Sequence, residues 1–310
     1  MILEDVVVCS NPKYPLKGIM TIPESNDQVP AVVFVHGSGA SNKDEKIGGL
    51  TPFKNLAEGL AQYGIASIRY DKRSYAHGFK MLRDKDLEVT VKSETIDDAI
   101  AASELLKKDP RIDADNVYVI GHSMGAMLAP RIDAEGGQFK GLILMAGSPR
   151  KLEEIMMGQN EAVLSKTKGF VHWIVEKQVS KLTKQFEGLH EMSDAQAKAV
   201  KMGNGVTLHY FKEMGEHPAS DYLLKLEKPV LILQGEKDFQ ATVKDDYSQY
   251  QKLLEGKDNV TFHLYEGLNH AFVPAVSDDI MMAKQEYKSR RNVDAKVIED
   301  IALWIKGSSK

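Results

Sequence analysis

The sequence contains a single cysteine, Cys9, so the chain cannot form a disulfide bond within itself. Positive charge is not in excess either, because 40 Lys and Arg residues stand against 44 Asp and Glu, for a formal net charge of -4. This balance gives no reason to expect nucleic acid as a partner. Long apolar runs are also missing, so we expect neither a membrane span nor a membrane partner.

Further absences concern targeting and metals. The first residues lack a basic segment followed by an apolar one, so we expect no signal peptide and a cytoplasmic location. No spacing of Cys, His and carboxylate residues indicates a metal site, and we expect no cofactor. Cys9 lies in a valine-rich run, which favours a buried thiol without a chemical role.

What the sequence does contain is a regular alternation of short apolar runs and segments with helical periodicity. This alternation predicts an α/β fold with a mostly parallel sheet and helices on both faces. We expect eight strands, the first two paired as an antiparallel hairpin at a sheet edge. They span residues 2–10, 16–22, 31–35, 65–70, 117–120, 141–146, 228–234 and 260–265.

Residues 151–220 interrupt this pattern. They are rich in Lys, Glu, Gln and Met, show helical periodicity and contain no convincing strand. We interpret them as a helical cap inserted between two parts of one core, residues 1–150 and 221–310. Trp173 and Tyr210 are candidate substrate contacts under this cap, with Phe170 and Met156 beside them. The same spacing is more often found in helices that pack against one another.

Two other segments carry weaker predictions. Asp71-Lys72-Arg73 follows a predicted strand, and such a charged run is more often a solvated loop with local ion pairs than a substrate contact. Residues 75–89 are polar and are predicted to form a loop.

The clearest chemical signal is Gly121-His122-Ser123-Met124-Gly125. It follows a buried strand and precedes a helical segment, and this context distinguishes a G-x-S-x-G nucleophile turn from an ordinary Gly-Ser-Gly loop. The turn would hold the Ser123 hydroxyl outward at the carboxyl end of the sheet.

A serine hydroxyl needs a base, and the base needs an acid that orients it. Asp238 and His270 each follow a later predicted strand, and the loops after parallel strands meet at one edge of the sheet. We therefore predict Ser123, His270 and Asp238 as nucleophile, base and acid. Glu236 is the alternative acid, and the remaining histidines are expected to be structural or exposed.

The Gly-rich loop at residues 36–41 follows another buried strand and would present backbone N–H groups to a developing oxyanion. We predict the N–H groups of Ser38 and Met124 as the oxyanion donors. A phosphate-binding loop is the competing interpretation, but the segment has neither the lysine nor the glycine spacing of such loops.

In these motifs the chain resembles the α/β-hydrolase superfamily, and most of all bacterial carboxylesterases related to cinnamoyl (feruloyl) esterases and serine aminopeptidase-like hydrolases. The resemblance covers essentially the whole chain except residues 151–220, and it implies an eight-stranded core with a cap after the sixth strand. The matching segments, in family order, are His36-Gly-Ser-Gly39, Tyr70-Asp-Lys-Arg73, Gly121-His-Ser-Met-Gly125, Gly235-Glu-Lys-Asp238 and Asn269-His270.

The function expected from these residues is hydrolysis of a small-molecule carboxylic ester through an acyl-enzyme on Ser123, with small acyl or cinnamoyl-type groups as substrates. A serine peptidase or amidase using the same three side chains is the alternative. A binding protein without catalytic activity is a third possibility, because a fold alone does not confer a function.

Overall fold

An eight-stranded sheet forms the centre of the computed structural model, which describes residues 1–203 and 205–308. The strand order is β1-β2-β4-β3-β5-β6-β7-β8. β1 and β2 pair antiparallel, as do β2 and β4, and the other neighbours are parallel. The predicted α/β fold and edge hairpin are confirmed. The strands are β1 Ile2–Val8, β2 Leu16–Ile22, β3 Val29–Val35, β4 Ala66–Tyr70, β5 Ile112–His122, β6 Leu142–Met145, β7 Val230–Gly235 and β8 Val260–Tyr265.

The central strands are buried on both faces, which explains why they appear in the sequence as continuous apolar runs. Twelve α-helices connect and cover them. These are α1 Pro52–Gln62, α2 Arg73–Arg83, α3 Asp97–Lys107, α4 Met124–Ile132, α5 Leu152–Lys166, α6 Gly169–Phe186, α7 Asp194–Ala199, α8 Leu208–Gly215, α9 Ala219–Leu223, α10 Ser248–Leu253, α11 Ala283–Glu286 and α12 Ala295–Ser308, all within the described residues.

Two apolar layers enclose the sheet. On one face, Phe53 of α1 and Ile301 of α12 pack in the same cluster as Phe34 of β3. On the opposite face, α3 and α4 pack with Val33 and Val119. The crossovers therefore place helices on both sides of the parallel strands, as the alternation of the sequence predicts.

Between β6 and β7 the chain forms five α-helices, α5 to α9, a 3₁₀ helix at Leu189–Glu191 and no named strand among its described residues. Helix α5 packs against α6 and α8, and α9 packs against α4 of the core. The division of the chain at residues 150 and 220 stays a prediction. In the described ranges no helix is both long and apolar enough to cross a membrane.

Three expectations from the sequence are wrong. Cys9 is exposed rather than buried, because β1 is an edge strand that ends one residue earlier. Residues 75–89 are not simply a loop, since α2 covers much of this segment and its Met81 side chain is buried. Asp71, Lys72 and Arg73 are at most 9% exposed and do not form a solvated loop.

Arg73 is buried because it has a carboxylate partner from α3. Its Nε and Nη2 lie 2.9 and 2.5 Å from the Asp98 carboxylate, which also accepts a hydrogen bond from Ser10. Burial raises the pKa of Asp98 above its ordinary value, although Arg73 acts in the opposite direction. Desolvation thus offsets much of the attraction within the pair, yet loss of one partner leaves a buried charge uncompensated.

We expect Asp98→Ala to destabilise the protein by about 3–5 kcal/mol, because the Arg73 guanidinium stays buried without its carboxylate. Urea unfolding followed by circular dichroism measures this difference. Glu4→Ala is the matched control, since Glu4 pairs with the half-exposed Arg111 and its loss should change little. Equal losses of stability in the two variants would contradict the assignment of Arg73 and Asp98 as a buried ion pair.

Candidate active site

Ser123 occupies the sharp turn between β5 and α4. Its φ and ψ are 54° and -119°, a conformation that residues other than glycine rarely adopt. The Ser123 N–H donates to the Met145 carbonyl at 2.8 Å, and its own carbonyl accepts from Ala126 N at the start of α4. These bonds hold the strained backbone and fix where the hydroxyl points.

The glycines on either side of Ser123 leave no space for a side chain. A Cβ at Gly121 would lie 2.3 Å from the Gly125 carbonyl oxygen, and one at Gly125 would lie 2.1 Å from the Val35 carbonyl oxygen. The close approach of strand, turn and helix therefore requires glycine at both positions. This is the backbone geometry of a nucleophile turn.

Asp238 and His270 follow β7 and β8, and the structure brings them together. Asp238 Oδ2 lies 2.7 Å from His270 Nδ1, and both residues are buried. The carboxylate also accepts hydrogen bonds from the backbone N–H groups of Gln240 and Ala241 and from the Gln234 side chain. These donors orient Asp238, and the bond to Nδ1 leaves His270 Nε2 available as a proton acceptor.

Glu236, the alternative acid, points elsewhere. Its side chain is about 39% exposed, and its carboxylate accepts from the backbone N–H of Gly267 at 3.0 Å. It therefore supports the loop after β8 from outside, and the carboxylate bonded to the His270 ring is that of Asp238. Of the two acids weighed from the sequence, Asp238 has the geometry of an orienting group.

The loop that carries His270 lies directly against the turn that carries Ser123. His122 Nε2 is 2.9 Å from the backbone carbonyl oxygen of His270, and the two imidazole rings are 4.7 Å apart between centroids. Ser123 Oγ itself has no hydrogen bond to any residue that the structure describes. Catalytic hydrogen bonds often form only when substrate is bound, so the free hydroxyl is compatible with a nucleophile.

The Gly-rich loop after β3 also reaches this edge. A Cβ at Gly37 would lie 3.1 Å from Ser123 Cβ, so the loop passes beside the nucleophile turn. Met124 is the first residue of α4, and its N–H consequently has no partner within the helix. Ser38 and Met124, the predicted oxyanion donors, both line one cavity of about 440 Å³.

Only some of the candidate substrate contacts in the helical segment line this cavity. Tyr210 and Met156 line it. Trp173 and Phe170 instead lie exposed on α6, stacked on each other with ring centroids 5.7 Å apart, and neither is among the described lining residues. The spacing of aromatic residues could not separate these two outcomes, because it does not say which side of a helix faces the core.

Sequence reasoning missed a buried carboxylate, Glu45, that contacts two loops of the site. Its Oε1 accepts from the Gly37 N–H at 3.0 Å, and its Oε2 lies 3.0 Å from His122 Nδ1. Glu45 also has a φ of 51°, a strained conformation for this residue type that its contacts must maintain. Through Gly37, His122 and the His270 carbonyl, Glu45 connects the three loops that meet at Ser123.

Burial and charge act in opposite directions on this pair. Burial alone would raise the pKa of Glu45, but the nearby His122 lowers it below its ordinary value. Burial alone would lower the pKa of His122, but Glu45 raises it above its ordinary value. The geometry therefore favours a charged pair. Burial also lowers the pKa of His36 to about 4, which keeps that neighbouring histidine neutral.

Comparison with known proteins identifies the family of this chain. A model of the family described as serine aminopeptidase, S33, matches residues 27–274. The chain belongs to this family of α/β hydrolases. It is 33% identical over 290 residues to esterase EstD of Thermotoga maritima, covering 94% of this chain and 65% of that protein.

More distant relatives agree with the fold. The chain is 23% identical over 198 residues to the uncharacterized peptidase YtmA of Bacillus subtilis, covering 64% of each protein. The structure of Est1E from Butyrivibrio proteoclasticus has a TM-score of 0.60 at 16% identity, covering 98% of this chain and 99% of that one. The match thus spans slightly less than two thirds of the length of each of these two proteins, EstD and YtmA.

We expect Asp238→Asn to lower kcat by about 10⁴-fold, because an amide would favour the wrong tautomer of His270. Steady-state kinetics on a p-nitrophenyl ester measures this loss. Glu236→Gln is the control with the same chemical change two residues away, and it should retain activity close to that of the parent. A larger loss in Glu236→Gln than in Asp238→Asn would reverse the assignment of the acid.

We also expect Glu45→Gln to destabilise the protein by about 3 kcal/mol, with a characteristic pH dependence. The stabilisation from Glu45 is lost as pH falls through its lowered folded-state pKa. The stabilisation from His122 is lost as pH rises through its raised folded-state pKa. The difference in unfolding free energy between the parent and Glu45→Gln should therefore be largest between pH 4.5 and pH 6.5, the ordinary pKa values of Glu and His. It should shrink at lower and at higher pH.

Urea unfolding of both proteins, measured within this pH interval and on both sides of it, checks the expectation. Glu58→Gln, which changes a partly exposed carboxylate paired with Lys54, serves as the control and should show no such maximum. A destabilisation by Glu45→Gln that is independent of pH would mean that Glu45 and His122 are not a charged pair.

Proposed function

We propose that the protein hydrolyses carboxylic esters through an acyl-enzyme on Ser123. The observation that carries the proposal is the buried 2.7 Å contact between Asp238 and His270, in a loop packed against the nucleophile turn. The similarity to a protein named as an esterase supports it.

The proposed reaction begins when neutral His270 accepts the Ser123 proton as Ser123 Oγ attacks the ester carbonyl carbon. Asp238 stabilises the imidazolium that forms. The N–H groups of Ser38 and Met124 stabilise the oxyanion, and one such donor contributes about 3 kcal/mol to the transition state. His270 then protonates the leaving alcohol, and water attacks the acyl-enzyme to release the acid.

The substrate we propose is an ester with a small acyl or cinnamoyl-type group. The cavity beside the oxyanion donors has a volume of about 440 Å³ and walls that are mainly apolar. This volume lies in the range of roughly 300–1,000 Å³ typical of small-molecule sites. Rates on acetyl, butyryl, octanoyl and feruloyl esters would rank the acyl groups, and no preference among them would contradict a defined acyl pocket.

A serine peptidase or amidase is the second candidate, because the matching family carries the description of an aminopeptidase and one relative is named a peptidase. The same three side chains would act on an amide. Parallel assays of p-nitrophenyl esters and aminoacyl anilides on one preparation separate the two candidates, and a higher kcat/KM on the anilides would favour the peptidase.

We expect Ser123→Ala to lower kcat on p-nitrophenyl esters by about 10⁶-fold, since the nucleophile is removed. A fluorophosphonate probe should label the parent at Ser123 and fail to label the variant, as intact-protein and peptide mass spectrometry would show. Ser165→Ala, at an exposed serine of α5, is the control and should retain both properties. Ester hydrolysis that survives in Ser123→Ala would exclude the proposed mechanism.

A further inference from the structure

The cavity next to the oxyanion donors contains one feature that ester hydrolysis alone does not explain. Its walls are largely apolar, with contributions from Met81, Leu82, Val89, Leu152, Met156 and Phe211. Among the described lining residues, Glu94 is the only charged one. It lies in the π-helical turn Lys92–Ile96 before α3 and is 7% exposed. A buried carboxylate in an apolar wall is costly unless its oxygens have partners.

The two side chains that contact the Glu94 carboxylate, Tyr210 and Lys72, lie at the same oxygen. The Tyr210 hydroxyl donates to Glu94 Oε2 at 2.7 Å, and Lys72 Nζ lies 3.5 Å from that atom. Lys72 Nζ also donates to the Gly37 carbonyl at 2.9 Å. Burial raises the pKa of Tyr210 well above its ordinary value, so the hydroxyl keeps its proton and remains a donor.

The second oxygen, Glu94 Oε1, has no hydrogen-bond partner among the residues that the structure describes. Glu94 is more than nine-tenths buried, and it is one of the residues that line the cavity. Tyr210 and Lys72 fix the orientation of the group through Oε2. Oε1 is therefore a preoriented acceptor that an occupant of the cavity can reach.

The surrounding charges select the kind of donor that suits this acceptor. Lys72 is 1% exposed, and its ammonium already balances the Glu94 carboxylate. A ligand ammonium would add an uncompensated positive charge to a buried neutral pair, and a ligand carboxylate would be repelled by Glu94. A hydroxyl group donates a hydrogen bond without changing the charge of the site.

We propose that this cavity binds a part of the ester substrate that combines a carbon chain or ring with a neutral hydroxyl group. Glu94 Oε1 accepts the hydrogen bond of that hydroxyl, while Tyr210 and Lys72 hold the carboxylate in place. The apolar walls enclose the carbon skeleton. This inference rests on the proposed function, because Ser38 and Met124 connect the cavity to the site of ester cleavage.

The first test measures binding without turnover. Calorimetric titration of the Ser123→Ala variant compares esters that differ only at one end, which carries a methyl, a hydroxyl or an ammonium group. Two series are needed, one with the end group on the acyl chain and one with it on the alcohol, each from butyl to octyl length. Wild-type kcat/KM on the same esters provides a second readout.

We expect the hydroxyl ester to bind about 10- to 100-fold more tightly than its methyl counterpart at the length that reaches Glu94, in one of the two series. A methyl-terminated chain displaces water from Oε1 and replaces no hydrogen bond, which costs the site the free energy of an unpaired buried acceptor. The ammonium ester should bind more weakly than the hydroxyl ester.

Glu94→Gln tests the acceptor directly, because it removes the charge that strengthens the hydrogen bond. The preference for hydroxyl over methyl esters should fall several-fold. Glu213→Gln is the matched control. Glu213 lies on the same helix as Tyr210, but it does not line the cavity, and its partly buried carboxylate is paired with Arg131. It should keep the parental preference, and thermal melts establish that both variants fold.

Three results would overturn the inference: equal binding of methyl and hydroxyl esters at every length in both series, tighter binding of the ammonium ester, or binding of none of them. Failure of the proposed function has a different signature. The wild-type protein would then neither hydrolyse p-nitrophenyl acetate nor react with a fluorophosphonate, whatever the binding preference of Ser123→Ala.

Discussion

The structure of the site depends on one backbone constraint, the turn at Ser123. A serine with φ of 54° is kept in place by hydrogen bonds to β6 and to the start of α4, and by contacts so close that Gly121 and Gly125 cannot carry a Cβ. The cost of this strained conformation is met by the packing of the buried sheet around it. The hydroxyl of Ser123 and the N–H of Met124 receive their positions from the same turn.

The loops around this turn are joined by polar side chains buried beneath them. Glu45 contacts the Gly-rich loop and His122, and His122 contacts the backbone of His270. Lys72 connects the same Gly-rich loop to Glu94 in the cavity wall. The groups proposed for catalysis and those proposed for substrate selection therefore belong to one network of contacts, and its two parts meet at Gly37.

Much of this molecule could be predicted because its signals are local. Each central strand is a short apolar run, and the nucleophile turn is a motif of five neighbouring residues. The positions of Asp238 and His270 followed from a general property of parallel sheets, whose carboxyl ends share one edge. The errors at Cys9 and at Asp71–Arg73 have a common origin, since local composition does not reveal which edge or helix lies opposite a residue.

By itself, the sequence determined the order of the strands along the chain, the class of fold and the three side chains proposed for catalysis. Those features depend on periodicity and on neighbours along the chain. Only the tertiary structure decided that Arg73 is buried against Asp98, that Trp173 faces outward, and that Glu94 and Tyr210 form one wall although 116 residues separate them. Contacts between distant segments arise from the packing of whole elements, and no pattern within either segment encodes them.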